Sequence, residues 1–205
     1  WRYNEKRNPT PSRTTHNTMV EVLWTVIPVV ILVIIAIPSF GLLYYMDKTQ
    51  EADMTIKVTG RQWYWTYEYP DHDNITFDST MVPQEDLQPG QRRLLEVDNQ
   101  LVVPVNTNIR VLVAGSDVMH SWFVPSLGVQ MYAVIGRLNE TWMNIEKEGT
   151  YYGQCNQICG VNHAFMPISV RAVSKEEFAR WVEEAKTKFA KKDETAPIRV
   201  ANAAK

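Results

Sequence analysis

The sequence predicts an all-β sandwich that is carried on one membrane-spanning helix and followed by a C-terminal amphipathic helix. Three observations give this prediction. The chain of 205 residues gathers its longest uncharged apolar run at positions 22–46. Short β-like runs separated by turn residues follow from position 55 onward, without intervening helical patterns. A helical period returns only after position 173.

The apolar run is long enough to cross a bilayer. Its 25 positions would extend about 37 Å as a helix, and a bilayer core is about 30 Å thick. The core of a signal peptide is shorter, roughly 7 to 15 residues. We therefore predict a transmembrane helix over residues 21–46. The alternative, a buried helix of a soluble protein, is disfavoured because such helices rarely lack charge over this length.

The flanking charges predict the orientation of this helix. Residues 1–20 carry four basic side chains against one acidic side chain, Glu5, which places them in the cytoplasm by the positive-inside rule. Residues 47–173 then lie outside, with 15 Asp and Glu against nine Lys and Arg. This acidic balance would steer a basic partner and argues against nucleic acid, although acidic surfaces also serve solubility alone.

Residues 47–173 are predicted to form the sandwich. Candidate strands are rich in β-branched and aromatic residues and are bounded by turn pairs such as Pro70-Asp71 and Glu148-Gly149. They cover residues 55–58, 63–69, 93–97, 109–114 and 167–173.

Residues 174–205 are predicted to form an amphipathic helix and a polar tail. Ser174 and Glu177 have the spacing of a capping box. The tail after Lys191 is polar and predicts weak order. Five apolar residues share one helical face, namely Phe178, Trp181, Val182, Ala185 and Phe189.

Possible metal ligands are concentrated in residues 153–167. Cys155 and Cys159 are four positions apart, His163 follows after four more and Met166 after a further three, while His120 lies upstream. Thiolate and thioether ligands combined with imidazole favour copper. A single blue-copper centre uses one Cys, two His and a distant Met, so this set has one Cys too many. Two copper ions bridged by both thiolates would use every group.

Three alternatives stay open on the residues alone. A disulfide between the two cysteines suits a location outside the membrane but leaves the histidines and the methionine unexplained. A structural zinc site of two Cys and two His would leave the methionine without a role. A redox-sensing thiol pair usually has Cys-x-x-Cys spacing, which differs from the spacing here. We interpret the two other histidines, His16 and His72, as solvated surface residues.

The metal-ligand segment closely resembles the dinuclear copper (CuA) loop of cytochrome c oxidase subunit II, a subunit of haem-copper oxidases. The resemblance covers residues 5–185 and includes the aromatic stretch 60–69 and the segments 94–99, 117–128 and 136–139. It implies a cupredoxin-like Greek-key sandwich on the outer side of the membrane. The family has two N-terminal membrane helices, so we expect residues 1–20 to be the cytoplasmic loop after a first helix that is missing here.

The resemblance also implies the metal ligands. The main-chain carbonyl of Gln157 occupies the position that completes the site. Relatives often have Glu there, and its carboxylate helps to hold a magnesium ion. A neutral amide is a poorer ligand for this hard cation, so a magnesium site is doubtful. The side chains that match copper ligands are His120, Cys155, Cys159, His163 and Met166.

Other matched positions concern partners. Trp63 matches the exposed tryptophan through which cytochrome c delivers its electron, and Glu21 matches the glutamate at the mouth of a proton pathway. Arg137 matches a residue near the interface with the haem-bearing subunit. Relatives often carry acids at Tyr132 and Asn74, so the docking face is expected to be less acidic there. Three acids match docking positions for cytochrome c, namely Glu68, Asp98 and Asp117.

The resemblance therefore implies an electron-transferring subunit of an oxidoreductase that also translocates protons. Electrons from cytochrome c would pass through the dinuclear copper centre to the haem-bearing subunit, where oxygen is reduced to water. A membrane-tethered copper-binding or copper-delivery protein is the alternative, but it would not need Trp63 or Glu21. A quinol-oxidising relative would lack the copper ligands. We expect a bacterial plasma membrane with the copper domain on the periplasmic side, the mitochondrial inner membrane being the alternative.

Overall fold

The computed structural model describes residues 1–48 and 51–190. These residues divide into two compact units, the first ending at Asp47 and the second beginning at Lys48. The polar tail predicted after Lys191 lies outside the described residues.

The first unit is dominated by helix α1, Thr18–Asp47, which extends the predicted span slightly at both ends. Its apolar side chains are exposed all around the helix. Pro28 and Pro38 lie inside the helix. A continuous helix of 30 residues with this composition is long enough and apolar enough to cross a membrane.

The second unit contains ten strands in two five-stranded sheets. The strands are β1 Met54–Arg61, β2 Tyr64–Tyr69, β3 Ile75–Ser79, β4 Leu101–Pro104, β5 Ile109–Gly115, β6 His120–Val124, β7 Val129–Ala133, β8 Asn139–Met143, β9 Gly149–Cys155 and β10 Pro167–Val173. The first sheet has the order β3-β2-β1-β5-β8 and the second the order β4-β10-β9-β6-β7. Pairs β1–β5 and β4–β10 are parallel, and the other pairs are antiparallel.

The core lies between the two sheets because alternate residues of each strand face inward. In β1 every second residue from Met54 is buried, and β2 shows the same alternation. β10 is buried at all but one position. Large aromatic side chains fill the centre, with Trp65 and Trp122 completely buried. The predicted all-β sandwich is confirmed.

Helix α2, Lys175–Lys188, packs its apolar face onto the sandwich. Ser174 caps it by accepting a hydrogen bond from the Glu177 amide at 3.1 Å. The Glu177 carboxylate does not complete the capping box, because it pairs with Arg171 at 3.0 Å. The predicted C-terminal amphipathic helix is confirmed, and its Phe178 and Val182 side chains are buried against the sandwich.

One sequence prediction is wrong in this unit, and another holds only in part. Residues 93–97 do not form a strand, since Leu94 has a φ of +64°, which breaks an extended chain. Val97 alone makes an isolated bridge, to Met81. His72 is only partly solvated, because its ring packs edge-on against Phe178 with the ring centres 5.3 Å apart. His16 is exposed, as predicted.

Candidate metal centre

The six predicted ligand residues converge at one end of the sandwich. Two antiparallel strands meet there, since His120 begins β6 and Cys155 ends β9. Cys159 and His163 lie in the loop between β9 and β10, and Met166 directly precedes β10. This loop returns across the end of the sheet because β9 and β10 pair antiparallel, from Gln154 opposite Pro167. His120 is thereby brought into contact with Cys155, which lies 35 positions further along the chain.

The donor atoms form one continuous cluster. The two Sγ atoms of Cys155 and Cys159 are 3.9 Å apart. Nδ1 of His120 lies 3.9 Å from the Cys155 Sγ, and Nδ1 of His163 lies 3.5 Å from the Cys159 Sγ. The Met166 Sδ is 3.5 Å from the Cys159 Sγ. The Gln157 carbonyl oxygen accepts a hydrogen bond from the Cys155 thiol at 3.3 Å.

The cluster is buried and its thiols are free. Both cysteines are unpaired, and His120 and Met166 are almost completely shielded from solvent. Within residues 1–48 and 51–190, the one group of His, Cys and acidic residues that could hold a metal ion is His120 with the two cysteines. Two cysteine sulfurs, two imidazoles and a thioether form a donor set that fits copper better than it fits hard cations. The donor set therefore fits the predicted metal.

Asp117 orients His120. Its Oδ1 accepts a hydrogen bond from Nε2 of His120 at 2.9 Å, which leaves Nδ1 turned toward Cys155. The carboxylate also accepts hydrogen bonds from the backbone amides of Gln62 and Val118, both at 2.6 Å. Partial burial opposes ionisation, but the hydrogen bond from His120 and those from the two amides lower the pKa of Asp117 below its usual value.

Asp117 was predicted as a docking acid, and sequence reasoning missed its contact with His120. The structure places it beside the donor cluster, with its side chain one-third exposed. The available signal was its position three residues before His120, in the turn that leads into β6. Carboxylates commonly orient metal-binding imidazoles in this way. A positioning role therefore accounts for its three hydrogen bonds.

The two thiols have opposite pKa shifts. Burial raises the pKa of Cys159, and the neighbouring charge of Cys155 raises it further. Burial also opposes ionisation of Cys155, but hydrogen bonds from His120 and from the backbone at Ser121 and Gln157 lower its pKa to about 6. These pKa shifts favour the thiolate form at Cys155 and the thiol form at Cys159. A thiolate is the form that binds metal.

The hairpin of β1 and β2 packs directly against the cluster. A Cβ atom at Gly60 would lie 2.9 to 3.0 Å from three atoms of the His120 side chain, so only glycine leaves room for this histidine. Trp65 donates its indole hydrogen to the Met166 carbonyl oxygen at 3.2 Å. Its ring is edge-on to the His120 imidazole, with ring centres 6.0 Å apart. The first sheet therefore supports ligands that belong to the second.

The half-buried Trp63 lies against the loop between β9 and β10, residues 156–166, here termed the metal loop. Its indole N–H donates to the Cys159 carbonyl oxygen at 3.2 Å. Trp63 and Gln62 form the turn between β1 and β2, and the peptide bond joining them is cis. The side chain is half-exposed at the end of the sandwich, so it connects the surface to a predicted ligand.

The other predicted site residues lie outside this cluster. The Glu68 carboxylate is paired with Lys57 at 3.2 Å on the outer face of the first sheet. Asp98 accepts hydrogen bonds from the backbone N–H and the hydroxyl of Thr80, both at 2.7 Å. In the first unit, Glu21 accepts a hydrogen bond from the Asn17 amide at 3.3 Å, near the start of α1. Arg137, Tyr132 and Asn74 are exposed.

A two-sheet sandwich with soft donors on its β9–β10 loop and a histidine at the start of β6 is a metal domain of the cupredoxin type. Family models confirm the relationship along the chain. "Cytochrome C oxidase subunit II, periplasmic domain" matches residues 54–173, and "Cytochrome C oxidase subunit II, transmembrane domain" matches residues 1–42. The chain belongs to the cytochrome c oxidase subunit II family. The transmembrane match and helix α1 make it a membrane protein.

Individual relatives agree with this assignment. A probable cytochrome c oxidase subunit 2 of Rickettsia felis is 55% identical over 181 residues, which cover 88% of this chain and 58% of the relative. The chain thus spans little more than half of that relative's length. The periplasmic domain of subunit II of cytochrome oxidase from Bradyrhizobium japonicum has a crystal structure with 55% identity and a TM-score of 0.66, covering 70% of this chain and all of that one.

A second solved structure is a mixed disulfide intermediate between a thioredoxin-like protein and subunit II of cytochrome c oxidase. It is 54% identical, with a TM-score of 0.61, and the match covers 70% of this chain and 97% of that chain.

Proposed function

We propose that this chain is the electron-accepting subunit of a cytochrome c oxidase. It receives electrons from cytochrome c at a dinuclear copper centre and passes them to the haem-bearing subunit, where oxygen is reduced to water and protons are pumped. The observation that carries the proposal is the convergence of two free thiols, two imidazoles and a thioether in one buried cluster.

The geometry favours this use of the cluster over the alternatives. A disulfide needs a sulfur separation of about 2.05 Å, whereas the two thiols are separated by 3.9 Å and flanked by imidazoles. A zinc site of two Cys and two His would not use Met166, which is buried in contact with Cys159. Two bridging thiolates use all five side chains, one imidazole facing each sulfur.

The residues around the cluster would keep the ligands fixed. Copper, when bound, supplies one-electron redox chemistry, and ligands that move little between oxidation states suit fast electron transfer. Asp117 holds one imidazole, Trp65 holds the Met166 backbone, and Gly60 provides the space for His120. Trp63 is the proposed point at which electrons arrive, through its hydrogen bond to the Cys159 carbonyl.

The partner proposals rest on charge and on family. The acidic outer unit favours a basic cytochrome c. Asp98 is an exposed acid available for docking, whereas the charge of Glu68 is partly neutralised by Lys57. We assign Glu21 to the cytoplasmic mouth of a proton pathway and Arg137 to the contact with the haem-bearing subunit. The membrane is proposed to be a bacterial plasma membrane with the metal domain outside.

A reducing partner follows from the thiol pair and from one solved relative. Both sulfurs must be reduced to bind copper. A thioredoxin-like protein forms a mixed disulfide with the related subunit II. We therefore include a thioredoxin-like reductant among the proposed partners of this chain.

We also propose that Gln157 leaves no tight magnesium site, because its amide is neutral.

A copper-delivery protein is the second candidate, and burial of the ligands argues against it. Delivery requires ligands that exchange readily, whereas four of the five donor side chains are less than one-tenth exposed. Half-buried Trp63, hydrogen-bonded to the metal loop, would have no purpose in delivery.

The experiment that tests the proposal is rapid mixing of the copper-loaded oxidase with reduced cytochrome c. Trp63→Phe removes the indole donor and should slow electron transfer severely while cytochrome binding stays nearly unchanged. Trp142→Phe, on β8, is the matched control and should behave as the unaltered protein. Unchanged electron transfer in Trp63→Phe would show that electrons arrive by another route.

A further inference from the structure

The side chain of Gln62 makes a contact that the electron-acceptor role does not explain. Its amide Nε2 donates a hydrogen bond to the Cys159 carbonyl oxygen at 2.9 Å. The indole of Trp63 donates to the same oxygen at 3.2 Å. Two neighbouring side chains of the β1–β2 turn are therefore fixed to one backbone group of the metal loop.

The backbone of the same residue contacts the other half of the donor cluster. The Gln62 amide N–H donates to Asp117 Oδ2 at 2.6 Å, and the Oδ1 atom of that carboxylate holds His120 at 2.9 Å. Gln62 thus connects the Cys159 side of the cluster to the His120 side. These two sides come from different parts of the chain, since His120 begins β6 and Cys159 lies in the β9–β10 loop.

Gly160 makes this close approach possible. Its φ of +123° lies in a region that favours glycine. A Cβ atom at this position would be 2.9 Å from Cζ2 of Trp63 and 3.2 Å from Nε2 of Gln62. The loop therefore has a residue without a side chain at the point where both turn residues contact it.

We infer that Gln62 is a positioning residue that fixes the metal loop to the β1–β2 turn and keeps the two sides of the donor cluster at a constant separation. Its hydrogen bonds go to the Cys159 carbonyl and to the Asp117 carboxylate, so it acts through the Cys159 backbone and through Asp117. The inference rests on the proposed function only in taking copper as the metal.

Gln62→Met tests this role because it keeps the size of the side chain and removes the donor. Gln62→Lys restores an N–H donor at similar reach. Gln100→Met is the matched control, since Gln100 also donates one amide hydrogen bond, to Ser169 Oγ at 2.9 Å, but does so away from the cluster. Hydrogen exchange of residues 156–165 is measured on the metal-free full chain in detergent, and electron paramagnetic resonance is recorded after copper loading.

In Gln62→Met we expect exchange in the loop to rise by about twofold to tenfold, the factor that corresponds to one lost neutral hydrogen bond. The copper hyperfine splitting should change as well, and Gln62→Lys should restore both signals. Exchange and spectra equal to those of the unaltered chain in Gln62→Met, or equal changes in Gln100→Met, would overturn the inference. If the unaltered chain binds no copper, the proposed function fails, while the exchange measurement still decides the role of Gln62.

Discussion

Asp117 gives the sharpest test of how the site is organised, because sequence and structure assign it different roles. Its carboxylate accepts hydrogen bonds from His120 and from two backbone amides. In Asp117→Asn, the amide oxygen can still accept from His120 and Val118. The new NH₂ group would then face the Gln62 N–H, so two donors would oppose each other where a charge-assisted hydrogen bond existed.

The expected effect is a loss of copper affinity. Removal of a carboxylate that orients a metal-binding imidazole typically weakens metal binding by about 10- to 100-fold, or about 1.4 to 2.7 kcal/mol. The upper half of this range is expected, because the substitution disturbs Gln62 in addition to His120. The assay is competition for copper between the full chain in detergent and a chelator of known affinity.

Asp78→Asn is the matched control, since this exposed carboxylate accepts a hydrogen bond from Thr66 on the outer side of the first sheet. It should bind copper as the unaltered chain does. If Asp117→Asn also keeps full affinity and loses only the salt dependence of cytochrome c oxidation, Asp117 is a docking acid and the positioning argument is refuted.

Three further predictions concern the same unit. Gly60→Ala should destabilise the fold by about 1 to 3 kcal/mol and lower copper content, because the added carbon overlaps the His120 ring. Thermal unfolding measures the loss of stability, and metal analysis measures the copper content. Unaltered values of both would contradict the prediction. In the metal-free chain, thiolate absorbance should persist as pH falls and disappear near pH 6, because the pKa of Cys155 is lowered to about 6. Cys155→Ser should abolish that step. A single step near the ordinary cysteine pKa of about 8.5 would disprove the prediction. Turnover with a basic cytochrome c should fall as ionic strength rises, since exposed charges such as that of Asp98 are screened over about 8 to 10 Å, and a flat response would remove electrostatic docking.

The elements that sequence reasoning predicted well are those with a strong local signal. The uncharged run, the alternating residues of β1, the largely apolar run of β10 and the apolar face of α2 each determine their own structure. The segment 93–97 has the composition of a strand, yet the left-handed conformation of Leu94 and the hydrogen bonds accepted by the nearby Glu96 carboxylate override that local preference.

The residues of the candidate site likewise divide into those with a local sequence signal and those without one. Cys155, Cys159, His163 and Met166 are close in sequence, so their spacing alone brings them to notice. The contact between Asp117 and His120 is local, whereas the contacts of Gln62 and Gly60 depend on how β1 and β2 pack against the second sheet. A single sequence carries no signal for that packing, and the residues that hold the ligands in place were therefore missed. The pairing of Glu68 with Lys57 was missed because it depends on the register between β1 and β2.

The most direct test of the central claim is copper content combined with electron paramagnetic resonance on the purified full chain. The account predicts two copper atoms per chain and the hyperfine pattern of one electron shared equally between two copper nuclei. One copper atom with the pattern of a single nucleus would leave one of the buried cysteines without its proposed role. Zinc or a disulfide in place of copper would contradict the electron-transfer function.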